Sequence, residues 1–212
     1  MASNVARALR LMLVTDDRLV TAERLVEACR AAVRGGVTSV QLRLKRVEPR
    51  ELVTLARELV AAVPVPVLIN DRLDVAMAAG AAGVHLGPDD LPVALARRAA
   101  PPGFLIGASV GGISELESGQ GADYWGVGPW HATTTKADAG APLGAEGFRR
   151  IVARAGGIPC IAIGGVRPED VVPVLGAGGA GVAVVSGILG RPDVEAAARE
   201  YLRQQSTVNG QR

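Results

Sequence analysis

The segment Gln41-Leu42-Arg43-Leu44-Lys45 carries two cations and an amide at alternate positions. An extended backbone sends Gln41, Arg43 and Lys45 to one side and Leu42 and Leu44 to the other. Cations on an inward face are costly unless an anion meets them, so the pattern points to a phosphorylated ligand. Read alone, Arg43 and Lys45 fit surface charges at a strand end equally well. Two further apolar runs each deliver an acid: 65–69 leads into Asn70-Asp71, and His85 is followed by Leu86-Gly87-Pro88-Asp89-Asp90. Asp71 and one of Asp89 or Asp90 can share a hard cation such as Mg2+, which takes one or two carboxylates while substrate phosphates complete its octahedron. Each acid alone reads as a helix N-cap, Asp71 for a helix near Leu73 and Asp90 for one near Leu91. Beside Arg43 and Lys45 they read together as a metal–diphosphate site.

A second set of groups lies further along the chain. Ser109 ends an apolar run and can donate to a phosphate, while His85 sits at an inward alternation and reads as a supporting residue. The stretch 126–140 is long, polar and contains Trp130-His131-Ala132-Thr133-Thr134-Thr135-Lys136. Loops of that length inside a domain are usually functional, and hydroxyls with an ammonium suit a lid that closes over anions and excludes water. Two later runs end in Gly164-Gly165 and in Val185-Ser186-Gly187. Glycine lets backbone N–H groups approach a ligand closely, so these ends make a second anion site, suited to a monophosphate.

The elements that must position these groups follow from periodicity. Apolar or β-branched runs at Leu11–Val14, 39–44, 67–69, 83–85, 105–108, 124–126, 160–163 and 181–185 alternate with stretches whose apolar residues recur at helical spacing, such as Leu25, Cys29 and Ala32, or Leu52, Leu55, Ala56, Leu59 and Val63. Pro168-Glu169-Asp170 looks like a first helical turn. Eight such alternations predict an α/β fold, a (β/α)8 TIM barrel, with short helices after the third and fourth strands; a doubly wound open sheet is the alternative. In a barrel, the site lies at the carboxyl ends of the strands, where the polar residues above fall.

The chain has 212 residues, of which 49% are hydrophobic, and this favours one domain over 1–212 and excludes a mainly disordered chain. The polar tail 204–212 lacks periodicity and is expected to be disordered and without a role. A net charge of +2 and 3% aromatics leave no basic, ring-bearing stripe for nucleic acid. Two cysteines with no metal or disulfide spacing fit a reducing cytoplasm. The first fifteen residues carry Arg7 and Arg10 where a signal peptide needs an uncharged core, and no apolar run is long enough to span a bilayer, so a soluble, unprocessed protein is expected.

Taken in order, Gln41-Leu42-Arg43-Leu44-Lys45, Asn70-Asp71, Gly83-Val84-His85-Leu86-Gly87 with Asp90-Leu91-Pro92, Ile106-Gly107-Ala108-Ser109, Gly126-Val127-Gly128-Pro129 with Thr133-Thr134-Thr135-Lys136, Ala162-Ile163-Gly164-Gly165 and Val184-Val185-Ser186 resemble the thiamine-phosphate synthase family over nearly the whole chain. The resemblance implies a transferase that joins 4-amino-2-methyl-5-hydroxymethylpyrimidine diphosphate to 4-methyl-5-hydroxyethylthiazole phosphate, giving thiamine phosphate and diphosphate. It further implies that Gln41 contacts the pyrimidine, and that Arg43, Lys45, Asn70, Ser109 and Lys136 hold the diphosphate. Asp71 and Asp90 would bind Mg2+, and Thr133, Thr135, Gly165, Val185 and Ser186 would hold the thiazole phosphate. Lys136, Arg43 and Ser109 are the groups expected to act on the leaving diphosphate. The expected partners are the two small-molecule substrates, with no nucleic acid or membrane and with a homo-oligomer left open.

The chain departs from the family pattern at three places. Leu44 replaces a glutamate, Val110-Gly111-Gly112 replaces a Ser-Val-His-type segment, and Trp130-His131-Ala132 replaces an Ile/Phe-Pro pattern. Competing functions are a thiazole tautomerase on the same scaffold, for which His131 offers a proton-transfer group, a non-catalytic binder of pathway phosphates, and a barrel enzyme acting on unrelated sugar phosphates.

Overall fold

Eight strands pair in parallel and in chain order: β1 (Leu11–Val14), β2 (Ser39–Leu42), β3 (Val67–Asn70), β4 (Gly83–Leu86), β5 (Leu105–Val110), β6 (Tyr124–Val127), β7 (Cys160–Ala162) and β8 (Gly181–Val184). The ring closes where Leu11 of β1 registers with Val182 of β8. This is a TIM barrel and not an open sheet. The computed structural model describes residues 2–133 and 140–209, and the side chains of 5–133 and 140–205. The lid residues Thr135 and Lys136 therefore lie outside the described residues.

Alternation along each strand builds two separate cores. Val40, Leu42 and Leu44 face the helices and join the large layer between sheet and helices. Met12, Val14, Leu68, Tyr124, Ile161 and Ala183 fill the barrel's interior. The glutamate-to-leucine departure at Leu44 thus sits in the outer packing layer, where an apolar side chain belongs. Tyr124 fits inside because Gly107 has no side chain: a Cβ there would stand 2.2 Å from the Tyr124 ring.

The crossovers are α2 (Ala22–Arg34), α3 (Pro49–Ala62), α4 (Leu73–Ala79), α5 (Val93–Ala99), α6 (Gly144–Val152), α7 (Val171–Gly176) and α8 (Ser186–Leu189), with α4 and α5 the short pair expected after β3 and β4. After β5 the connection is only a 3-10 turn, Ile113–Glu115. Gly111, Gly112, Gly119 and Gly121 crowd that stretch, and each glycine costs about 1 kcal/mol in a helix relative to alanine. Pro168–Asp170 is likewise a 3-10 turn, leading into α7. At the barrel's other end α1 (Ala2–Ala8) brings Val5 onto the interior cluster, and the Ala8 carbonyl accepts bonds from Ser39 Oγ (2.6 Å) and Thr38 Oγ1 (3.1 Å).

The tail differs from the sequence expectation over 204–209, while 210–212 lie outside the described residues. Residues 204–209 are the last turns of α9 (Val194–Asn209), which packs against α2, α7 and α8. Ala197, Ala198, Tyr201 and Gln205 form its buried stripe, and Gln205 Nε2 donates to the Arg10 carbonyl at 2.5 Å. The helical period continues through position 205, but a glutamine occupies the apolar place, so hydropathy alone hides it. No helix among the described residues is long and apolar enough to cross a membrane.

Candidate active site

The carboxyl ends of the strands open into a cavity of about 750 Å³. Gln41, Arg43, Lys45, Asn70, Asp71, Ser109, Thr133, Gly165, Val185 and Ser186 all line it. All but Thr133 lie at the carboxyl end of a strand or within three residues of it, and closure of the barrel brings eight such ends together; Thr133 stands in the loop after β6.

On the side of β2, β3 and β4 the acids and cations meet. Lys45 Nζ is hydrogen-bonded to Asp71. Asp71 turns sharply away from β3 with φ 65°, the one non-glycine residue with positive φ among those described, and its N–H donates to the His85 carbonyl (2.8 Å). Asp90 Oδ2 accepts from the Gly87 N–H at 2.6 Å. Burial pushes the Asp90 carboxyl above the usual carboxylate range, and the adjoining Asp71 carboxyl, hydrogen-bonded to it, pushes the same way. Neither acid caps a helix: the residues at the N-termini of α4 and α5 are Arg72 and Pro92, with no side-chain capping bond. Asp90, and not the exposed Asp89, is the one brought to Asp71.

Arg43 is held by a group the sequence reading passed over. Its Nη1 lies 3.2 Å from Oδ2 of Asp16, whose side chain is wholly buried. Arg18 grips the same carboxylate, Nη2 to Oδ2 at 2.7 Å and Nε to Oδ1 at 3.0 Å. The Arg18 guanidinium, followed by its backbone N–H and the charge of Arg43, outweighs burial and holds the Asp16 carboxyl below the usual range. The rule that strand ends carry the site would have found Asp16, since it lies two residues past β1.

At the floor of the cavity a buried hydrogen-bonded row crosses the barrel. Tyr124 OH lies 2.9 Å from His85 Nδ1, and His85 Nε2 lies 3.0 Å from Ser109 Oγ. Gln41 adjoins Tyr124, whose hydroxyl ionises far less readily than a free phenol because it is fully buried. Gly126 leaves room for the imidazole, since a Cβ there would stand 3.0 Å from His85 Cε1. His85 thus faces inward as alternation suggested and touches Ser109, while Tyr124 gave no signal because its position begins a strand.

Across the cavity lie the glycine ends of β7 and β8. Gly164 and Gly165 take φ 89° and 68°, and a Cβ on Gly165 would stand 2.9 Å from His131 Cβ. The first N–H groups of α8, from Ser186 onward, lack partners within the helix, as at any helix start. The stem of the loop after β6 runs along this edge: Trp130 N–H donates to Ile163 O (2.8 Å) and His131 N–H to Gly164 O (2.9 Å). Trp130 itself is buried edge-on against Phe148 at 5.6 Å. In the altered segment after β5, the Gly111 N–H is taken by Glu115 Oε2 at 2.7 Å, and both residues line the cavity.

The family model described as thiamine monophosphate synthase matches residues 11–188. A thiamine-phosphate synthase of Methanoculleus marisnigri is 45% identical over 194 residues, covering 89% of this chain and 92% of its own. That of Xanthobacter autotrophicus is 48% identical over 196 residues, covering 90% and 92%. Among solved structures, a thiamine phosphate pyrophosphorylase from Pyrococcus furiosus superposes with a TM-score of 0.84 at 36% identity, covering 96% of this chain and 98% of that one. A 3-hexulose-6-phosphate synthase, at 21% identity and a TM-score of 0.74, shares the fold. With the match spanning every strand of the barrel and every strand end that lines the cavity, the chain belongs to the thiamine monophosphate synthase family.

Proposed function

We propose the following division of labour in the family's reaction, the condensation of the pyrimidine diphosphate with the thiazole phosphate. The observation that carries it is that one cavity is lined by Arg43, Lys45, Asn70 and Ser109 at one end and by Gly165, Val185 and Ser186 at the other, which suits two separate anions. Gln41 orients the pyrimidine between them.

The bond from the pyrimidine's methylene carbon to the diphosphate oxygen breaks with its electron pair leaving on the diphosphate. The amino-pyrimidine delocalises the resulting cation, and the thiazole nitrogen's lone pair then forms the new C–N bond. No protein nucleophile is required. The chain's contribution is charge stabilisation and alignment. Asp16 fixes one side of Arg43, leaving its remaining N–H groups for a diphosphate oxygen. With Tyr124 donating to His85 Nδ1, the Nε2 proton goes to Ser109 Oγ, and the serine hydroxyl proton is left for the leaving group. Lys136 and Thr135 retain the roles the family resemblance gives them, Lys136 on the diphosphate and Thr135 with Thr133 on the thiazole phosphate.

Asp71 and Asp90 fit Mg2+ in their donor chemistry: two adjoining carboxyls, one of them raised first by burial and then by the other, gain most from a divalent cation between them. Such an ion would supply neutralisation of the departing diphosphate. Two buried, unpaired thiols, Cys29 and Cys160, support a reducing, cytoplasmic setting.

The test is diphosphate release from the purified protein, with the substrates supplied singly and together, with Mg2+ and with EDTA. Release that needs both substrates and the metal, with thiamine phosphate as product, is the expected outcome. No release under any condition overturns this reading in favour of a tautomerase or a non-catalytic binder.

A further inference from the structure

His131 belongs to a segment in which this chain departs from the family pattern, and the chemistry above gives it no task. Its Nε2 lies 3.0 and 2.9 Å from the two carboxylate oxygens of Asp170. A carboxylate only accepts, so Nε2 carries the proton between them. Asp170 is 9% exposed and is fixed in turn by the Arg167 N–H, donated to its Oδ2 at 2.7 Å. The imidazole lines the cavity at the end formed by Gly164, Gly165, Val185 and Ser186, and Asp170 stands behind it. His131 Cβ occupies the space a side chain on Gly165 would need, and its N–H holds the Gly164 carbonyl.

An acid facing a phosphate cradle works against it, because like charges in a partly desolvated site repel strongly. Here one N–H both satisfies that acid and puts a ring between it and the cradle. Arg167, Glu169, Arg191 and Glu200 also line this end, but each is exposed and in reach of solvent screening. We propose that His131 is a positioning residue for the monophosphate half of the cavity: its imidazole covers the Asp170 carboxylate so that the cradle accepts a dianionic phosphate. The proposal rests on the reading that the thiazole phosphate binds at this end.

The experiment measures steady-state kinetics with each substrate varied for wild type, H131A, H131Q, D170N and H131A/D170N, together with calorimetric titration of inorganic phosphate into each protein without substrates. Expected for H131A is a rise of tenfold or more in KM for the thiazole phosphate and in Kd for phosphate, with KM for the pyrimidine diphosphate and kcat within threefold. H131Q, which keeps a donor to Asp170, should stay within threefold of wild type throughout. Neutralising the uncovered acid in H131A/D170N should recover at least threefold of the loss, which a purely structural role would not allow. The proposal is overturned if H131A leaves both constants within twofold, if both substrates' KM values rise alike, or if the double variant recovers nothing. A wild type that makes no thiamine phosphate sinks the assigned reaction instead, and the phosphate titrations then decide the role of His131 on their own.

Discussion

Asp71 concentrates the strongest demands on any one residue of the site. It bonds Lys45, adjoins Asp90, and holds a left-handed backbone that most side chains resist by about 1–2 kcal/mol. Asparagine tolerates that conformation as aspartate does, so Asp71→Asn removes the charge and spares the turn. We expect Asp71→Asn to lower kcat at least tenfold, a loss of about 1.4 kcal/mol or more in transition-state stabilisation. Added Mg2+ should stimulate the residue of activity less than it stimulates wild type, and the thermal midpoint should stay close to the wild-type value. Turnover within threefold of wild type would mean that the carboxylate has no electrostatic part in the reaction. The sequence pointed to this residue and to its neighbours Arg43 and Lys45 through strand alternation. Strand alternation alone left Asp89 and Asp90 open, because both follow the same strand end; the family resemblance named Asp90, and the path of the backbone after Gly87 brings that residue to Asp71.

At the scale of elements, glycines decide where large side chains can lie. Gly107 in β5 faces Tyr124 in β6, and a methyl there would stand 2.2 Å from the ring, deep in a rigid barrel wall. Gly107→Ala should therefore destabilise by about 1–3 kcal/mol or more through overpacking. It should also displace Tyr124 from His85 and so reduce activity in the fraction that folds. Gly176 ends α7, is exposed, has no positive φ, and would place a Cβ with nothing within 4 Å. Gly176→Ala should raise stability by about 0.5–1 kcal/mol with activity unchanged. Denaturant unfolding of the two variants beside wild type checks both signs; equal effects would show that the strand glycine is not set by the tyrosine. The helix α9 illustrates the same point from the polar side: Gln205 completes an apolar stripe by reaching the Arg10 carbonyl, a partner nearly the whole chain away.

For the molecule as a whole, the join between β1 and β2 at the mouth of the barrel depends on a charge. The folded pKa of Asp16 lies below its unfolded value of about 3.9, so the folded state binds fewer protons there. Its contribution to stability is complete above the unfolded value and is lost as pH falls through the folded one. Stability measured by urea unfolding should therefore fall below about pH 4 in wild type. Asp16→Asn should be less stable than wild type at pH 6, with the gap closing as pH falls. A gap independent of pH between 6 and 3 would show that the carboxylate's charge has no part in holding Arg18 and Arg43.

The sequence by itself determined the barrel and its eight strands in order, and at β2 the side that turns to the cavity, because periods of 2 and 3.6 are local properties that hydropathy records directly. It marked for the same reason the two groups of residues to which anion binding is assigned by proposal, since cations, acids and glycines at strand ends are visible in a linear reading. Only the tertiary structure decided who holds whom. Asp16 on Arg43, Tyr124 on His85, Asp170 on His131 and Gln205 on Arg10 are pairs between different elements, set by the closure and stagger of the barrel. No periodicity along the chain encodes the distance across it.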